Sequence, residues 1–75
     1  MKAFELYKIV AENGHDRAQC NLGSFYYKGE GTEKNLEKTF YWYQKAAVND
    51  NVEAQYNLAL AYEKFFKKLF IGIKK

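Results

Sequence analysis

Large apolar side chains recur along this chain at helical spacing, in stretches separated by short polar breaks. Phe4, Tyr7, Val10 and Ala11 fall on one helical face, and Ala18, Leu22, Phe25 and Tyr26 fall on another. Between them "ENGHD" interrupts the pattern. Gly14 suits the left-handed position that closes a helix, and Asp16 reads as the cap of the next, with Gln19 three residues on as its capping-box partner. These two stretches predict an αα-hairpin. The pattern resumes after "KGEGTEKN", whose Gly29 and Gly31 admit positive φ and whose Asn35 is a good N-cap for the helix carrying Phe40 and Tyr43.

The resumption is a repeat. At an offset of 36 residues, "AQCNLGSFYYK" (Ala18–Lys28) lies over "AQYNLALAYEK" (Ala54–Lys64), and ten of the 25 positions from Phe4 to Lys28 are identical in the second copy. Phe4 falls on Phe40, Tyr7 on Tyr43, Ala11 on Ala47, Ala18 on Ala54, Leu22 on Leu58 and Tyr26 on Tyr62. A hairpin this short cannot bury its own apolar face, so the expected fold is all-α, a solenoid in which each hairpin packs on its neighbour. Ala11, Ala18, Ala47 and Ala54 are the expected points of close helix approach. Asn21 and Asn57 also recur, and their predicted role is structural, an amide that ties down the backbone of an adjacent loop. The chain then reads as one repeat domain, residues 1–75: repeat 1 over about 2–37, repeat 2 over about 38–64, and a divergent helix over 65–75.

Tyr7, Ala11, Gly14, Ala18, Leu22, Gly23, Tyr26, Gly29, Gly31 and Asn35 together resemble the Sel1-like repeat family, relatives of the tetratricopeptide repeats, over nearly the whole chain. The period of 36 and the Gly-x-Gly link set the pattern apart from 34-residue tetratricopeptide repeats. The resemblance implies a protein-interaction module, an adaptor or scaffold, with no catalytic residue to carry over. Some positions depart from the family pattern. Thr32 and Asn35 stand for its Val and Asp, Ala59 for a Gly, and Asp50 for the Gly of the second hairpin turn, where Asn49 or Asn51 is expected to take the positive φ instead.

After Lys64 the second copy does not give its Gly-x-Gly link. It runs through "FFKKLF" to "IGIKK", which resembles the end of a family link five residues late, as an insertion or a truncated array would produce. Read as a helix, Phe65, Phe66, Leu69, Phe70 and Ile73 continue the stripe begun by Tyr62, with the lysines mostly on the other side. Three roles fit this extended amphipathic helix: a lid that caps the last hairpin, a membrane-surface binder, or a stripe that docks a partner.

Charge sharpens that choice without settling it. Of the net +3, residues 1–61 contribute seven basic and eight acidic groups, whereas residues 62–75 contribute five lysines and one glutamate. The basic tail admits membrane contact, while the balanced body offers no basic stripe for nucleic acid. Charges interrupt the apolar residues of the first eight positions, so no signal-peptide core is read there. The single Cys20 forms no intrachain disulfide, and the expected location is the cytosol.

No constellation points to catalysis, a metal or a cofactor. His15 is the only histidine and sits in a turn, and Cys20 has neither a second thiol nor an adjacent base. "GEGTEK" lacks the glycine and lysine spacing of a phosphate loop. The expected partner is another protein or peptide, with self-association through an exposed end as a further expectation. Tyr41, Gln44 and Lys45 are the candidate contacts, because Tyr41 lies opposite Phe40, Tyr43 and Ala47 on a helical wheel; the rival role for Tyr41 is packing against a neighbouring helix or against the next repeat.

Overall fold

The computed structural model describes the backbone of residues 2–74 and the side chains of residues 2–69. Four helices follow one another, α1 (Ala3–Glu12), α2 (Asp16–Lys28), α3 (Leu36–Val48) and α4 (Val52–Lys74), with no strand among the described residues. They form two hairpins stacked so that α3 packs on α2 of the preceding hairpin as well as on α4 of its own. The solenoid arrangement expected from the repeat is present.

The first hairpin closes as the sequence predicts. Gly14 takes φ 94°, and its N–H donates to the Ala11 carbonyl at 3.0 Å. In the second hairpin the expectation fails: Asn49 has φ −86°, and Asp50 itself takes the positive φ, 66°. Asn51 is committed elsewhere, its Oδ1 accepting from the Ala54 N–H at 2.7 Å to cap α4. Asp is one of the few non-glycine residues that tolerate the left-handed region, so the turn survives the substitution.

The capping box at α2 is not formed. His15 occupies the N-cap without a side-chain hydrogen bond, and Gln19 is wholly buried. Its Nε2 donates to the Ala11 carbonyl at 3.1 Å, and its Oε1 accepts from Asn49 Nδ2 of the next hairpin at 3.2 Å. The Ala11 carbonyl takes one N–H from Gly14 and has a second acceptor site to offer, and a buried amide needs a partner, so the two meet in this contact. Asp16 turns outward from its own helix and accepts from Asn51 Nδ2 at 2.7 Å. At the link, Asn35 caps α3 as expected, with Oδ1 accepting from the Lys38 N–H at 2.9 Å. Gly31 lets the link run over Phe4, where a β-carbon would come within 2.9 Å of the Phe4 Cβ.

Two apolar clusters hold the stack together. One gathers Ala11, Ala18, Leu22, Tyr26 and Trp42, with Phe4, Tyr7 and Val10 against it; the other gathers Cys20, Tyr43, Ala46 and Ala54, with Ala47 and Leu58. All four predicted close-approach alanines lie in these clusters. The tightest approach is at Gly23, where a β-carbon would sit 2.6 Å from Tyr43 Cδ1. Asn57 meets no loop backbone: its Nδ2 lies 3.7 Å from the Cys20 sulfur of the preceding hairpin, joining α4 to α2.

Helix α4 continues without a break past Lys64, so the tail extends from the hairpin rather than folding back over it. Phe40 of α3 stacks on Tyr62 at 4.6 Å and meets Phe65 edge-on at 6.1 Å. Beyond that contact the helix surface opens, with Phe66 and Leu69 more than half and half exposed. Phe70 and Ile73 of the expected stripe lie outside the described side chains.

Candidate functional site

Tyr41, Gln44 and Lys45 come together on the solvent side of α3. With Val48 and Asn49 they line an open hollow of about 450 Å³. Tyr41 is 54% exposed. Its ring stands edge-on against Trp42, centroids 5.1 Å apart, and Lys45 Nζ sits 5.3 Å above it and donates to the phenol oxygen at 3.3 Å. The adjoining hollow between α1 and α3, about 370 Å³, shares Tyr41 and adds Lys8, Glu37 and Lys38. Tyr41 therefore stands where two hollows meet, as an aromatic shelf flanked by cations and amides.

A second groove lies between α2 and α4, about 320 Å³ in volume, with Tyr27, Lys28, Leu60 and Lys64 on its walls. Its floor is the Tyr43 phenol, paired with Ser24 Oγ at 2.7 Å. Lys64 Nζ lies 5.6 Å from the Tyr27 ring. Helical-wheel reasoning missed this groove, because its walls belong to different hairpins. The recurrence of Lys28 as Lys64 was the only signal.

Among the described residues, none of the three hollows is lined by a histidine, a thiol or a pair of carboxylates. Burial pushes the Cys20 thiol above its usual range; Glu53 and Asp16 raise it further, and the Asn57 contact works against them. A thiol so placed is held as the protonated, unreactive form. Burial likewise raises the Tyr43 phenol, against the opposing pull of Ser24. His15 stays in its exposed turn. Among the described residues no group of three His, Cys, Asp or Glu side chains could hold a metal, and no helix is long and apolar enough to cross a membrane. The surfaces suit recognition through aromatic faces, hydrogen bonds and lysine charge.

The family model for the Sel1 repeat matches residues 1–15, 16–51 and 52–64. The chain belongs to the Sel1 repeat family. The central Sel1 match runs from the start of α2 through the α3–α4 turn, so it frames the pair of helices that joins the two hairpins. Among similar proteins is a sel1-like repeat-containing protein, L18, of Acanthamoeba polyphaga mimivirus, 43% identical over 59% of this chain and 8% of its own length. The chitin synthase regulator SKT5 of Saccharomyces cerevisiae is 40% identical over 71% of this chain and 8% of its own. Over 83% of this chain and 9% of its own, HRD3A of Arabidopsis thaliana, an ERAD-associated E3 ubiquitin-protein ligase component, is 31% identical. The chain thus spans less than a tenth of the length of these relatives. No solved structure gives a significant match.

Proposed function

We propose that this Sel1-repeat chain is a non-catalytic adaptor module that binds a protein or peptide on the outer face of α3. The observation that carries the reading is Tyr41, half exposed on a packed helix and held upright by Trp42 and Lys45 between two hollows. A large aromatic side chain ordered before binding loses little conformational freedom on contact, which is how such residues become anchors of an interface. Relatives named as a regulator of chitin synthase and as a component of a ubiquitin ligase support an adaptor role. The test is a peptide selected against the wild-type chain from a random library and titrated by calorimetry. Tyr41→Ala is expected to weaken it about tenfold, about 1.4 kcal/mol, with thermal stability retained. Equal affinity for both chains would remove Tyr41 from the site.

A second reading rests on the open surface of α4 beyond Lys64. Phe66 and Leu69 face outward there, on a helix whose last stretch carries Lys67 and Lys68 and no acid after Glu63. Such a surface suits an anionic membrane interface.

A further inference from the structure

The joint between the two hairpins is a template whose positions recur on α1 and α4. Within it, α2 receives α3 on four positions. Gln19 is 0% exposed and takes the Asn49 amide, Gly23 lies beneath the Tyr43 ring, Tyr26 packs with Trp42, and Cys20 is 2% exposed. Thirty-six residues on, α4 carries Gln55, Ala59, Tyr62 and Tyr56 at the same places, all of them exposed, Tyr56 at 65%. Gln55 is already set as Gln19 is: its Nε2 donates to the Ala47 carbonyl eight residues back, at 3.2 Å, which leaves Oε1 to accept. The matching plug is at the other end. On α1, Tyr7 stands where α3 has Tyr43 and Leu6 where it has Trp42, and Asn13 closes α1 as Asn49 closes α3. Trp42 is 9% exposed, Leu6 51%.

We propose that α1 of a second copy of this chain seats on α4 as α3 seats on α2, joining copies head to tail. Asn13 then donates to Gln55 Oε1, Leu6 lies beside Tyr62, and Tyr7 rests over Ala59. Charge does not oppose the contact, since α1 carries Lys8 between Glu5 and Glu12. Ala59 sets its strength. A methyl group at the equivalent Gly23 would sit 2.6 Å from the tyrosine ring, so the methyl of Ala59 holds the incoming Tyr7 ring away and keeps the association weak. Because one end binds the other, the contact does not close on itself, and it builds chains longer than dimers.

Sedimentation velocity from micromolar to millimolar concentration tests this. The 75-residue chain is expected to rise in mass past the dimer as concentration increases. Leu6→Glu and Ala59→Arg, both at exposed positions, are each expected to leave a helical monomer. An equimolar mixture of the two is expected to form a dimer and stop there, since each supplies the one intact face that the other lacks. Ala59→Gly is expected to tighten the association severalfold, although glycine disfavours the helix. A wild-type chain that stays monomeric throughout overturns the proposal. So does a mixture that stays monomeric, or a Leu6→Glu chain that associates as the wild type does, the mark of pairing between tails.

Discussion

Gln19 shows how one side chain joins elements that sequence spacing keeps apart. Its amide closes α1 through Ala11 and receives the second hairpin through Asn49. Replacing it by alanine removes both hydrogen bonds, each worth about 1 kcal/mol, and leaves a hole where a fully buried side chain stood, although the Ala11 carbonyl keeps the Gly14 N–H. Gln19→Ala is therefore expected to lower unfolding stability by about 2 kcal/mol in urea, and Gln55→Ala, whose carbonyl partner is reached by water, by less than about 1 kcal/mol. Equal losses would contradict the role assigned to the joint. The Asp-x-x-Gln spacing reads as a capping box because that motif is local, and the true partner, 30 residues away, leaves no local trace. Gly14 was legible for the opposite reason, since a helix end needs its φ whatever lies nearby. Cys20 and Tyr43 give the joint a pH dependence. Both are raised by burial, so the folded state holds the protonated forms; their contribution is complete below the unfolded values, 9.0 and 10.0, and is lost as pH climbs through the higher folded ones. Thermal midpoints measured from neutral pH upward are expected to fall above pH 9, less steeply in Cys20→Ala relative to its own neutral value.

At the scale of the helices, the period of 36 and the apolar spacing made all four elements readable, as well as the continuation of α4 past Lys64. What they did not contain was the fate of the stripe. Phe65 reaches Phe40, but Phe66 and Leu69 lie past the end of the hairpin that a lid would cover, because α4 outruns α3. Ten residues beyond Lys64 extend a helix by about 15 Å. An apolar pattern states that a surface wants cover, and the length of the neighbouring helix decides whether it receives any. The membrane reading belongs here: the chain is expected to bind anionic vesicles more weakly as salt rises, and Phe66→Glu to abolish binding without loss of helicity. Binding unaffected by either change would exclude this surface.

For the whole molecule, the stack of two hairpins follows from the repeat, and the proposed α3 site follows from Tyr41 being on the wrong side of its helix for the core. The groove between α2 and α4 was hidden because it exists only once the hairpins are stacked, with Tyr27 from one and Lys64 from the other. The two surfaces lie on different helices, so one measurement can tell which of them receives a partner. Backbone amide shifts of the isotope-labelled chain, followed while a library-selected peptide is titrated in, report contact residue by residue. Changes centred on Tyr41, Gln44 and Lys45 with Tyr27 and Lys64 unmoved are the expected result; changes centred on Tyr27 and Lys64, with α3 silent, would contradict binding on α3.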